Sequence, residues 1–280
     1  MKILYTKQQV RNLVNETKLK GKKIGFVPTM GYLHHGHVAL IKKSKEDGCF
    51  TIVSIFVNPL QFGPAEDFQR YPRDTDRDIS ILEKEDVDAV FIPSEEEMYQ
   101  DPHIAEVNVP YLSDTLEGAY RPGHFRGVCT VVAKLFNIVQ PERAYFGWKD
   151  AQQLVIIKKM VVDLDFDIEI VPVKTVRDPD GLAASSRNIY LSPQDRKKAL
   201  ILSKALHKIA EMVELYNMKE VQVLIDEGKK IINSEEVILE YLEAVDLETM
   251  KPVSIIKKNT GILGAIKIGS IRLIDNIIWE

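Results

Sequence analysis

The chain has 280 residues, 45% hydrophobic and 28% charged, the composition of an ordinary globular protein with room for one large or two smaller domains. Its 37 basic and 41 acidic residues leave a net charge of −4, which argues against a general nucleic-acid binder or a polybasic membrane-surface protein. No apolar run approaches the roughly 20 residues that span a bilayer, and Met1 to Tyr5 carries no signal-peptide pattern, so a soluble cytoplasmic protein is expected. Cys49 and Cys129 sit among apolar neighbours and read as buried thiols rather than a disulfide or a metal site.

In chain order, Ile24–Val27 reads as a strand, Gly36–Glu46 as a helix, and Thr51–Val57 as a β-branched buried strand stopped by Asn58-Pro59. A helical pattern over Asp74–Glu85 precedes a strand at Ala89–Ile92. Helices over Val128–Ile138 and Ala151–Val162 flank a short strand, Ala144–Phe146, and Ile168–Val173 is another strand. Strand–helix alternation at these lengths predicts an α/β, Rossmann-like, doubly wound parallel sheet. Ligands bind beyond the carboxyl ends of such strands, which makes the loops at Thr29-Met30-Gly31 and Asn58-Pro59 expected neighbours.

After the turn-rich segment Arg177-Asp178-Pro179-Asp180-Gly181 the pattern changes. Ser192-Pro193 is a strong helix start, with a serine cap, proline in the first helical position and Asp195 in the first turn. A helix to about Leu215, a second from about Lys219 to Ile232, and strands near Ile238–Val245, Gly264–Ile268 and Ile271–Asn276 predict a smaller α+β domain. The expected division is 1–175 for the sheet domain and 176–280 for a lid domain.

Five clusters carry candidate chemistry. The foremost is Pro28-Thr29-Met30-Gly31-Tyr32-Leu33-His34-His35-Gly36-His37, a strand end, a glycine turn and the start of a helix. A helix start offers unpaired N–H groups and the positive end of its dipole to phosphate, and His34 and His37 are three apart, on one face. Asn58 and Gln61, just past a buried strand, suit the orientation of a small polar substrate or simply a polar turn. The loop from Gly118 to Gly127 carries Arg121 and Arg126, equally able to close over an anion or to stay solvated. Phe146-Gly147-Trp148-Lys149-Asp150-Ala151-Gln152-Gln153 repeats the strand–glycine–helix form, with Lys149 for phosphate, Asp150 for a cap or a ribose hydroxyl, and Gln153 one turn along. Ser185-Ser186-Arg187-Asn188 offers hydroxyls and a cation for a triphosphate tail, or a polar interdomain loop.

Together these clusters closely resemble the pantothenate synthetase (pantoate–β-alanine ligase) family. The likeness runs nearly the whole chain, through Pro28-Thr29-Met30-Gly31, His34-His35-Gly36-His37, Asn58-Pro59-Leu60-Gln61-Phe62, Tyr71-Pro72-Arg73, Arg121-Pro122-Gly123-His124-Phe125, Gly147-Trp148-Lys149-Asp150-Ala151-Gln152-Gln153 and Ser185-Ser186-Arg187-Asn188. The histidine element alone points only to the wider nucleotidyltransferase and class I synthetase-like superfamily. The resemblance implies ATP-dependent condensation of pantoate with β-alanine through a pantoyl adenylate, with AMP and pyrophosphate released. It implies an ATP site at Met30, Gly31, Tyr32, Leu33, His34, His35, Gly36, His37, Gly147, Trp148, Lys149, Asp150, Val176, Ala184, Ser185, Ser186 and Arg187. Catalytic roles fall to His34, His37, Lys149, Ser185, Ser186 and Arg187, and small-substrate binding to Asn58, Gln61 and Gln153. It also implies Mg2+ carried mostly by the nucleotide, and a homodimer with no nucleic-acid or membrane partner. Asp76 and Asp78 lie near enough in sequence to approach the metal, Asp78 the better candidate, and an acidic cluster at a helix N-terminus explains them equally well. Two positions depart from the family pattern: Ala184 where methionine is usual before the serines, and Asp74 where threonine often follows Tyr-Pro-Arg. The rival readings are a nucleotidyltransferase acting on a phosphorylated acceptor, which calls for a cationic pocket where Gln61 and Gln153 are neutral, and a nucleotide sensor, which needs no such polar set.

Overall fold

A computed structural model describes residues 1–64 and 66–280. The chain forms two compact units, Met1–Gly147 with Ile156–Val173, and Trp148–Val155 with Lys174–Glu280.

The first unit is built on β1 (Lys2–Leu4), β2 (Ile24–Thr29), β3 (Phe50–Ile55), β4 (Ala89–Phe91), β5 (Arg143–Gly147) and β6 (Glu169–Val173). All adjacent pairs are parallel, in the order β1-β4-β3-β2-β5-β6. The helices are α1 (Lys7–Leu19), α2 (His35–Glu46), α3 (Thr75–Lys84), α4 (Glu95–Met98), α5 (Glu117–Tyr120) and α6 (His124–Val139), with α7 (Ala151–Asp163) between β5 and β6. Successive residues of a strand point to opposite faces, and β2 shows both. A Cβ on Gly25 would strike Ser44 of α2, whereas Phe26 meets Phe136 of α6 edge to face at 6.5 Å. The sheet therefore carries helices on both faces, and its strands read as near-continuous apolar runs, as burial on two sides requires. Val27, Val53, Val90, Leu33, Ile41 and Leu82 pack together in one cluster of this core.

Connections from β2 lead to β3 and those from β5 lead to β6, so β2 and β5 flank the point where the winding reverses. Ligand crevices form there, beyond the carboxyl ends.

Four elements of this unit escaped the sequence reading: β1, α1 and the four-residue helices α4 and α5. β1 is a three-residue edge strand on β4, too short to show a period. α1 begins with a capping box, Thr6 accepting from Gln9 N–H while the Gln9 side chain accepts from Thr6 N–H, a signature that was available in Thr6-Lys7-Gln8-Gln9. α6 starts at His124, a turn earlier than its apolar pattern suggested.

The second unit carries α8 (Pro193–Tyr216), α9 (Val221–Ile232) and the antiparallel sheet β7 (Ile238–Asp246), β8 (Thr260–Ile268), β9 (Ile271–Trp279). Ser192 caps α8 by accepting Asp195 N–H at 3.1 Å. Leu202, Leu206 and Ile209 of α8, Leu224 and Ile225 of α9, and Leu242, Ile262 and Ile266 of the sheet share one core. β8 starts at Thr260, four residues before its expected start at Gly264, and Gly264 lies inside it where a Cβ would stand 2.8 Å from the Leu202 side chain. Both cysteines are free and buried. Among the described residues no helix is long and apolar enough to cross a membrane.

Candidate functional site

The turn between β2 and α2 is tightly determined. Thr29 Oγ1 donates to Ser54 O at 2.7 Å and accepts Gly31 N–H at 3.1 Å. Gly31 has φ +81°, and a Cβ there would lie 2.9 Å from Ile55 Cγ2, so the position demands glycine. Tyr32 follows at φ +48°, a conformation unfavourable for a residue with a side chain. It is held by Asp78, whose two oxygens accept Tyr32 N–H at 2.6 Å and Leu33 N–H at 2.7 Å. Neighbouring Arg77 donates to Leu33 O at 2.9 Å and stands over the Tyr32 ring at 4.7 Å. Burial pushes the Asp78 carboxyl above its ordinary range, and the two amides pull it only part of the way back. Asp78 thus has both oxygens on backbone amides, the arrangement of a turn-shaping residue. Asp74, one of the two departures from the family pattern, caps α3 by accepting Arg77 N–H at 3.1 Å, as threonine would.

His34 is the N-cap of α2, with extended backbone, and His35 opens the helix. His34 Nδ1 accepts Gly36 N–H at 3.1 Å, and His37 Nδ1 accepts His34 N–H at 3.2 Å. The two rings lie 4.0 Å apart, tilted by 40°. With each Nδ1 acting as acceptor, the proton of each neutral ring resides on Nε2. The pair therefore carries its ring N–H groups on Nε2 at a helix start, where the positive end of the helix dipole lies.

The loop after β3 brings Gln61 to the same turn, as the strand ends predicted: Gln61 Nε2 donates to Met30 Sδ at 3.1 Å. Pro59–Gln61 form a single 3-10 turn capped by Asn58. Asn58 is 1% exposed and fully engaged. Its Oδ1 accepts Leu60 N–H at 3.3 Å and the Tyr99 hydroxyl at 2.7 Å, and its Nδ2 donates to Gly127 O and to Gln61 Oε1, both at 3.1 Å. Asn58 thereby orients Gln61, its neighbour in the same turn. Helix α6 presses directly on this turn, since a Cβ on Gly127 would lie 2.2 Å from Leu60 O.

His124, buried at the start of α6, donates from Nδ1 to Gln61 O at 2.8 Å, while its Nε2 accepts from Arg121 Nη1 at 3.0 Å. Arg121 also grips Glu66 with Nε and Nη2, at 3.0 and 2.6 Å. Arg121 is thus engaged inside the protein, whereas Arg126 pairs with Glu106 at the surface, at 3.4 Å. Tyr99, His124 as an anchor and Glu66 were not picked out by the sequence. Nothing local marks them, because their partners lie 41 to 63 residues away.

In the second unit, Asn276 of β9 donates from Nδ2 to Trp148 O at 2.8 Å and Lys149 O at 2.9 Å, and the Trp148 indole donates to Glu280 at 3.1 Å. The half-buried Lys149 ammonium lies 3.3 Å from Asp150. Val176 and Ala184 face each other across a narrow turn, Ala184 N–H donating to Val176 O at 3.0 Å. Arg177 anchors that turn by a two-pronged bond to Asp275, at 2.6 and 2.9 Å. Ser185 then caps a 3-10 helix, Ser186–Tyr190, by accepting Arg187 N–H at 3.3 Å. Ser186 is buried, Ser185, Arg187 and Gln153 half-buried. Ala184 is enclosed at 2% exposure.

A doubly wound parallel sheet with a histidine-capped helix start and a fixed amide at its switch point defines an α/β protein with polar groups gathered beyond the carboxyl ends of its strands. The chain belongs to the pantoate-beta-alanine ligase family, whose model matches residues 2–278. It is 53% identical over 271 residues to pantothenate synthetase of Thermoanaerobacter sp. (strain X514), covering 96% of this chain and 95% of the relative. The crystal structure of pantothenate synthetase from Thermus thermophilus superposes with a TM-score of 0.94 at 45% identity, covering 99% of both chains. That of pantoate-beta-alanine ligase from Francisella tularensis, complexed with beta-gamma ATP and beta-alanine, superposes with a TM-score of 0.82 at 37% identity, covering 99% of this chain and 97% of the other.

Proposed function

We propose that the protein is an ATP-dependent ligase that joins pantoate to β-alanine. The observation that carries this reading is the meeting of two loops beyond β2 and β3. One opens a helix with His34 and His37 in its first turn, and the other, 3.1 Å from Met30 in the same turn, offers a fixed amide. A carboxylate must sit beside the α-phosphorus of ATP to be activated, and a triphosphate site adjoining a hydroxyacid site meets that need.

In the first step a pantoate carboxylate oxygen attacks the α-phosphorus, the bond to the β-phosphate bridging oxygen breaks, and pyrophosphate leaves. His34 and His37 donate to the phosphate oxygens, stabilising charge that grows on them, and His37 is the candidate proton donor. Lys149, Ser185, Ser186 and Arg187 are assigned to the same charge on their motif match, and Gly147, Trp148, Asp150 and Val176 to the adenosine. In the second step the β-alanine amine attacks the acyl carbon, loses a proton, and AMP departs with the electron pair of the broken C–O bond. Gln61 and Gln153 hold pantoate through both steps.

Mg2+, bound with the nucleotide, would supply charge neutralisation on the triphosphate. The residues fit an ion that arrives on the nucleotide: the donors here are imidazole, ammonium, guanidinium, hydroxyl and amide groups, and Asp78 is held by amides. A hard cation retaining phosphate and water oxygens suits that set. A cytoplasmic homodimer completes the proposal, on family resemblance.

The test is formation of AMP and pyrophosphate from ATP, pantoate and β-alanine with Mg2+. Both products appear in step with the amide if the reading holds. Their absence with pure, folded protein overturns it.

A further inference from the structure

Gln61 could face a substrate with either end of its amide, and the two ends select opposite chemistry. The structure fixes which. Leu60 N–H can only donate and Gly127 C=O can only accept, so the Asn58 atom near the first is Oδ1 and the atom near the second is Nδ2. The remaining Nδ2 hydrogen goes to Gln61, so the Gln61 atom there is Oε1. Its Nε2 is then left facing the Met30 sulfur, a weak acceptor that a substrate oxygen readily displaces. Asn58 has one further lone pair, and the Tyr99 hydroxyl takes it with the shortest of the four bonds, 2.7 Å.

Tyr99 stands outside every motif considered above, in the loop after α4. Its ring packs against Phe56, with centroids 6.0 Å apart, and Lys134 Nζ lies 5.4 Å from its centroid. These contacts place the hydroxyl independently of Asn58. A donor on Oδ1 polarises the amide and strengthens its Nδ2–H bonds.

We infer that Tyr99 is a positioning residue for the small-substrate site: through Asn58 it holds Gln61 as an obligate hydrogen-bond donor, selecting a ligand that offers a hydroxyl or carboxylate oxygen there. The inference rests on the proposed role of Gln61 in holding pantoate. Tyr99→Phe keeps the ring and its packing and removes only the donor. One net hydrogen bond corresponds to about a fivefold change in binding.

The experiment is steady-state kinetics of Tyr99→Phe and Asn58→Asp, with thermal unfolding to confirm folding. For Tyr99→Phe, KM for pantoate rises about fivefold while KM for ATP and kcat stay within twofold, the mark of lost binding common to ground and transition states. Asn58→Asp, which cannot donate to Gln61 Oε1, raises KM for pantoate further. A pantoate KM within twofold of wild type in Tyr99→Phe overturns the inference. If the wild type forms no AMP and pyrophosphate, the ligase reading fails on its own. The relay is then read by nuclear magnetic resonance of ligand-free protein labelled with 15N-glutamine. Exchange of the Gln61 side-chain amide protons quickens at least tenfold in Tyr99→Phe if the relay operates, and unchanged exchange overturns it.

Discussion

Asp78→Ala is the perturbation that probes the histidine turn most directly. The carboxylate is 1% exposed and accepts two backbone N–H groups at 2.6 and 2.7 Å. Charge-assisted bonds of this kind contribute about 1.5–3 kcal/mol each, so their gross loss is about 3–6 kcal/mol. Burial of the charge, which raises the carboxyl above its ordinary range, offsets part of this and places the net loss near 3 kcal/mol, the lower end. The variant also frees Tyr32 from its φ of +48°, and the turn that follows carries His34. Denaturant unfolding at pH 7 is therefore expected to show a loss of about 3 kcal/mol, with turnover reduced at least tenfold and KM for ATP raised. Asp78→Asn separates charge from hydrogen bonding. Its amide oxygen satisfies one N–H while its NH2 confronts the other, so it is expected to lose at least half as much. Stability of Asp78→Ala within 0.5 kcal/mol of wild type, together with unchanged KM for ATP, would refute the reasoning.

Three further outcomes are expected. His37→Ala and Lys149→Ala each lower kcat by about a hundredfold or more, as loss of a transition-state contact does; near wild-type turnover in either would remove that residue from the mechanism. Gly127→Ala places a methyl 2.2 Å from Leu60 O and 2.6 Å from Gln61 Cα, so α6 and the Gln61 turn must part. Unfolding should show about 1–3 kcal/mol of overpacking loss, and pantoate binding should weaken more than ATP binding. For Glu142, burial opposes ionisation, but Lys18 and the Ile24 N–H outweigh it and hold the carboxyl below its usual range. A depressed carboxylate contributes stability that is full above its unfolded pKa and is lost as pH falls through the folded one. The stability difference between wild type and Glu142→Gln should accordingly be constant above about pH 5 and shrink below about pH 4; a difference independent of pH would contradict this assignment.

Much of this protein is written locally. Period and punctuation place the strand at Ile24, the helix that ends at Glu46, and the long helix behind Ser192-Pro193. Parallel alternation then puts the loops at Gly31 and Asn58 at one end of a sheet. Local spacing likewise predicts that His34 and His37 share a face, because three residues make nearly one helical turn. Glycine has the opposite effect on legibility. The helix expected from Val128 and the strand expected from Gly264 both start earlier, and Gly127 and Gly264 sit inside regular elements where a neighbouring segment leaves no room for a Cβ.

What only tertiary structure decides is the sense of each polar group. Sequence brings Asn58, Gln61 and Asp78 to the site as candidates for ligand contact. Folding matches Asn58 to backbone groups of Leu60 and Gly127 and Asp78 to those of Tyr32 and Leu33. It turns Gln61 Nε2 toward the Met30 sulfur, and places the protons of both histidines on Nε2. Those directions depend on partners such as Tyr99 and Gly127, 41 and 69 residues from Asn58, and no local pattern in a chain encodes a distance it has yet to close.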